Sequence, residues 1–246
     1  MEFVAWTRRQ VGRCLLVVVS GALLAGCSDS KASGGGAIGA STTAVASQPA
    51  AGAPGSTQRV AVQLGDLPPG FRSCDFAGEI TSYIENHKGG RQSTYQNLVS
   101  TWEELKSMGA VEGWYAVYGD GAAACDFMIG RPTPHGADLH DDNARGHPST
   151  VFTFVARYTD EAAAASTYGS GLFGQDNLRA PQFEVVRGDP TGLGPNSVVA
   201  SNRASAPVTR AIWQAKAFTV VYGSENLKGS EPQAVLDAVY GRIGNT

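Results

Sequence analysis

No stretch of this chain reaches the roughly 20 apolar residues that a helix needs to cross a bilayer; the longest, Cys14 to Leu24, has 11. No Gly-x-Ser-x-Gly elbow, His-Glu-x-x-His pair or phosphate-binding Gly-rich loop is present, so the usual hydrolase, zinc-protease and nucleotide signatures fail. No two cysteines stand in a Cys-x-x-Cys pair, which removes the common dithiol signature. There is no run of Lys or Arg, and acids outnumber bases 22 to 19, an arrangement that argues against nucleic acid and against electrostatic binding to anionic lipid. No period suggests a repeat architecture.

What is present begins with an address. Arg8, Arg9 and Arg13 face a single acid, Glu2, ahead of the apolar run, and Leu24-Ala25-Gly26-Cys27 closes it. Basic head, short apolar segment and small residues are the layout of a cleaved signal peptide. The alternatives are a plain secretory signal with an incidental cysteine and, from Arg8-Arg9, a twin-arginine signal.

Residues 1 to 27 resemble a bacterial lipoprotein precursor. That resemblance implies cleavage before Cys27, which becomes the new N-terminus, a diacylglyceryl group with fatty acid such as palmitate on its sulfur, and residence at the outer, extracytoplasmic face of the cell membrane. Two acyl chains hold a protein stably where one does not. The segment ahead of Cys27 has a net charge of +2, so the rest of the chain carries −5 against −3 overall.

With Cys14 removed and Cys27 lipidated, Cys74 and Cys125 remain. Outside the cytoplasm these two are expected to form one disulfide, the alternative being two free buried thiols. Each opens the same tripeptide, Cys74-Asp75-Phe76 and Cys125-Asp126-Phe127.

Composition divides the chain into a signal peptide at 1–26, a lipidated cysteine with a stalk at 27–57, and one domain at 58–246. From Ser28 to Thr57 nearly every residue is Gly, Ala, Ser, Thr or Pro, too little apolar surface to order the segment.

Within the domain, Pro68-Pro69-Gly70 predicts an extended turn. Tyr95, Leu98, Trp102, Leu105 and Met108 recur at helical spacing, which predicts a helix over 94–108 ended by Gly109. Residues 114–118 and 123–129 read as a hairpin about Gly119-Asp120-Gly121. Residues 151–158 are apolar on both faces and predict a central strand, followed by a helix near 160–168 with Thr159 as its cap. Strand signals follow at 183–187, 197–202, 208–214 and 218–222, the last two as a hairpin. Ser230-Glu231-Pro232 opens a final helix whose stripe is Val235, Leu236, Val239, Tyr240 and Ile243. The expected fold class is α+β, a largely antiparallel sheet of six or seven strands with helices packed mainly on one face, the two long helices together. Leu67-Pro68-Pro69-Gly70-Phe71, then Trp102 with Gly109-Ala110, then a strand pair ending in a cysteine resemble domains of secreted lipoproteins from high-GC Gram-positive bacteria. This resemblance implies a sensory or ligand-binding role and carries no catalytic residue.

The richest polar stretch runs from His135 to His147. His135, His140, Asp142 and His147 are of the donor types that suit zinc, nickel or copper, while a loop of Gly, Pro, Asp and His is equally a solvated connection. Gly192-Leu193-Gly194-Pro195 and Arg187-Gly188-Asp189 read as turns, and Glu103-Glu104 and Asp160-Glu161 as helix surface.

The functional expectation is a membrane-tethered, non-catalytic module that binds a ligand or an envelope protein and needs no cofactor. The alternatives are a metal protein or metal-dependent enzyme built on the histidine stretch and a purely structural envelope protein.

Overall fold

The computed structural model describes residues 55–88, 92–128, 148–175, 178, 183–202 and 206–246. The elements in chain order are α1 (Thr57–Val60), β1 (Arg72–Ser73), β2 (Gly78–Glu79), α2 (Ile80–Asn86), α3 (Gln92–Ser107), β3 (Ala110–Gly119), α4 (Ala122–Met128), β4 (Thr150–Tyr158), α5 (Glu161–Gly169), β5 (Glu184–Arg187), β6 (Ser197–Ser201), β7 (Val208–Ala215), β8 (Phe218–Glu225) and α6 (Glu231–Gly244). The strands form one sheet of eight in the order β1-β3-β4-β8-β7-β6-β5, with β2 also on β3, and every pairing is antiparallel. The chain is thus an α+β fold on an antiparallel sheet.

Both faces of the sheet are covered, and the alternation along β4 shows how. Val151 and Val155 pack with Trp213, Val220, Tyr222, Leu236 and Val239 under α6. Phe152, Phe154 and Ala156 point the other way, into a second core with Ile80, Trp102, Leu105 and Ala164. Helices α2, α3, α4 and α5 lie on this second face. The expectation that the two long helices share a face is therefore corrected: α3 and α6 lie on opposite sides of the sheet. A stripe says which side of a helix is buried, not which side of a sheet it meets.

A second correction concerns residues 114–129. Instead of a hairpin, one strand of ten residues runs to Gly119 and a helix follows. Ala122-Ala123-Ala124 favours a helix, and the partner strands of β3 are β1, β2 and β4, drawn from both directions along the chain. A third is the cap of α5, which is Asp160 rather than Thr159: its carboxylate accepts from the Ala163 backbone N–H at 2.8 Å. At α6, Ser230 occupies the cap position with no side-chain bond, and Glu231 reaches back to the Lys228 N–H instead.

The helix over 92–107, its stop at Gly109 (φ +96°), the central place of β4 and the β7–β8 hairpin agree with the sequence reading. Short elements α1, α2, β1 and β2 carry too few residues to show a period.

The N-terminal segment is held inside the domain. Thr57, Val60, Ala61 and Val62 are all fully buried. Thr57 donates to Glu112 from its N–H (3.0 Å) and its hydroxyl (2.8 Å). The Val62 N–H donates to Thr153 Oγ1 at 3.2 Å, and Tyr118 Oη donates to the Val62 carbonyl at 2.9 Å. Burial, with Asp66 adding to it, pushes the Tyr118 phenol up to about 12.

Candidate functional site

Of the residues singled out from sequence, Cys27, His135, His140, Asp142 and His147 lie outside the described residues. Cys74 and Cys125 are joined in a disulfide with Cα atoms 5.5 Å apart. Cys74 follows β1 and donates its N–H to the Val117 carbonyl at 2.9 Å, so the bond fastens α4 to the edge of the sheet. Among the described residues no group of three or more His, Cys, Asp or Glu is placed to hold a metal ion. Among them, too, no helix is long and apolar enough to cross a membrane.

The strand directions divide the sheet into two unlike ends. At one end lie the start of β3, the end of β4 and the β7–β8 turn. Both chain ends of the domain meet here. Thr57 is bonded to Glu112, which also accepts from Arg157 Nε at 2.9 Å, and Lys216 Nζ donates to the carbonyls of Gly244 and Thr246, both at 3.0 Å. Burial would raise the Glu112 carboxyl, but the hydrogen bonds from Arg157 and Thr57 outweigh it and hold the group below the ordinary range.

At the opposite end are Gly119, Thr150, Ser201, Val208 and Glu225. The chain returns from the histidine stretch to the sheet here: the Ser149 N–H donates to Asp120 Oδ2 at 2.8 Å and Asn226 Nδ2 to Ser149 Oγ at 3.4 Å.

On the second face near this end sits Arg210. Its partner across β8 is Gly223, whose own partner on β4 is Phe152. The guanidinium crosses the glycine and lies 5.5 Å from the centre of the Phe152 ring, a cation–π contact. A Cβ on Gly223 would stand 2.2 Å from Phe152 Cε1 and 2.5 Å from Arg210 Nη1, so only glycine admits this arrangement. Arg210 Nη2 donates to Glu225 Oε1 at 3.3 Å, with 22% and 23% of the two side chains exposed. Burial lowers the guanidinium's proton affinity and Glu225 opposes it. Chemically this is a cation backed by an aromatic face, close to solvent at one end of the sheet.

The same face carries a row of aromatic rings. Tyr83 stacks on Tyr115 with centroids 3.9 Å apart, Tyr115 on Phe154 at 4.7 Å, and His87 tilts against Tyr83 at 4.4 Å. Burial raises both phenols far above their ordinary range, and Tyr83 adds to the effect on Tyr115. Neither tyrosine is therefore a base at neutral pH. Between α3 and these rings a crevice of about 10 Å³ is lined by Ile80, Leu98, Thr101, Trp102, Leu105, Tyr115 and Phe154. That is about the room of one water molecule, and the lining is almost wholly apolar.

Sequence reading did not single out Arg210, Glu225 or the stacked rings. Two signals pointed to the first: an arginine on the apolar face of a strand, between Val208 and Ile212, and a glycine inside the run Phe218 to Glu225, which marks a close approach. Comparison with family models, with curated proteins and with solved structures finds no match for this chain.

Proposed function

We propose that the chain is an extracytoplasmic lipoprotein, anchored through lipid on Cys27, whose folded domain is a non-catalytic binding module. The observation that carries this reading is the Cys74–Cys125 disulfide, since such bonds persist in oxidising compartments and are rare in the cytosol. It agrees with the lipobox ending at Cys27 and with a composition at 28–54 that reads as a stalk. A coil of about 27 residues spans on the order of 30 Å r.m.s., enough to carry a domain clear of a bilayer.

The anchor is read by labelling with a fatty acid in cells and by membrane fractionation. The native chain is expected to take up label and to sediment with membranes, and Cys27→Ser to do neither. An unlabelled Cys27→Ser protein recovered in the membrane fraction overturns the lipid reading. Peptide mapping without reductant that finds Cys74 and Cys125 as free thiols removes the redox argument.

A further inference from the structure

The Arg210 guanidinium has five N–H donors in a planar fork. Among the described residues one hydrogen bond engages it, the single 3.3 Å contact to Glu225. Charge-assisted bonds to carboxylates ordinarily close to about 2.7–2.9 Å and are frequently two-pronged, so this pair is loose and one-pronged. About four-fifths of the side chain is nonetheless withdrawn from water, with 22% exposed. Withdrawing a charged group without full replacement of its hydrogen bonds is costly. The fold accepts that cost while fixing the group's place: Gly223 clears the path, and the Phe152 ring lies beside it.

A guanidinium set over an aromatic ring, with donors that no described residue engages, is suited to a planar, two-oxygen acceptor. From this geometry we propose that Arg210 anchors a carboxylate-binding subsite at the end of the sheet opposite the one where Thr57 is held. The ligand's carboxylate takes the fork, and Glu225, which holds one donor of it at 3.3 Å, gives way when the site fills. The proposal deepens the reading of the domain as a binding module and rests on it, naming a carboxylate-bearing small molecule or peptide group as ligand class.

The test uses the purified full chain, with acetate and inorganic phosphate titrated separately while the backbone N–H resonance of Gly223, the cross-strand partner of Arg210 that every variant retains, is followed by NMR. Acetate is expected to move that resonance saturably. The effect should vanish in Arg210→Gln and weaken about tenfold in Arg210→Lys, which keeps the charge but loses the fork. Glu225→Gln, which removes the competitor, should tighten acetate several-fold. Should Arg210→Gln fail to fold, the lysine and Glu225 variants still decide. An unmoved resonance, an unchanged response in Arg210→Lys, no tightening in Glu225→Gln, or phosphate bound more tightly than acetate each overturns the proposal. A lipid-labelled, folded chain that ignores acetate overturns this subsite and leaves the anchor standing.

Discussion

Arg242, on the last helix, and Asp66, 176 residues earlier, are joined by two hydrogen bonds of 2.9 and 2.7 Å. The same guanidinium donates to the carbonyls of Val60 (3.3 Å) and Ala61 (3.0 Å). One side chain thus ties α6 to the N-terminal segment on the first face of the sheet. Only 12% of the Asp66 side chain and 23% of Arg242 are exposed, so removing either leaves a mostly buried partner unmet. Arg242→Met is expected to destabilise the fold by about 3 kcal/mol, read from the midpoint of denaturant unfolding. A change within about 0.5 kcal/mol, the size of an ordinary surface effect, would show that the clasp contributes nothing.

The disulfide closes a separation of 51 residues. Chain-entropy reasoning assigns a loop of that size about 4 kcal/mol. Cys74→Ser with Cys125→Ser should lose a stabilisation of that order, and the native chain should show a lower Tm with reductant than without. A Tm indifferent to reductant contradicts this.

Glu112 supplies a pH dependence with a definite sign. Its folded-state carboxyl lies below the ordinary glutamate value because the bonds from Arg157 and Thr57 outweigh burial. The unfolded chain therefore takes up the proton first as pH falls. Stability is fully present above about pH 4.3, the ordinary glutamate value, and is lost as pH drops below it through the folded-state value. Glu112→Gln should be less stable than the native chain at pH 7 and converge on it in acid. Parallel curves for the two proteins would remove Glu112 from the account.

At Gly223, alanine places a Cβ 2.2 Å from Phe152 Cε1 on one side and 2.5 Å from Arg210 Nη1 on the other. A clash with a ring in a packed core is expected to cost about 3 kcal/mol. Gly223→Ala should lower stability by that order and displace Arg210 from the Phe152 face, seen as a changed Arg210 Nε–H shift. An alanine variant as stable as the native chain would mean that the two side chains yield freely.

The long elements were legible because their periods are long enough to count. β4, apolar on both faces, was placed at the centre of the sheet, and the stripes of α3 and α6 were read from spacing alone. Ala122 to Met128 was not: a seven-residue segment with Ala, Cys, Phe and Met fits a strand or a helix equally well until its partners are known. Val60-Ala61-Val62 gave no signal, because three small apolar residues acquire meaning only when α6 and the sheet close over them. Arg210 and Gly223 lie on different strands, and their relation exists only through the register that sets them side by side.

The segment wedged between α6 and the sheet also decides how the domain answers force. A load applied to the chain ahead of Gly55 arrives first at Thr57, whose hydroxyl and N–H are fastened to Glu112 on a central run of the sheet. It then meets the Arg242 clasp on α6. Drag therefore falls on the corner of the fold that Thr57, Glu112 and Arg242 bind together, at the opposite end of the sheet from Arg210.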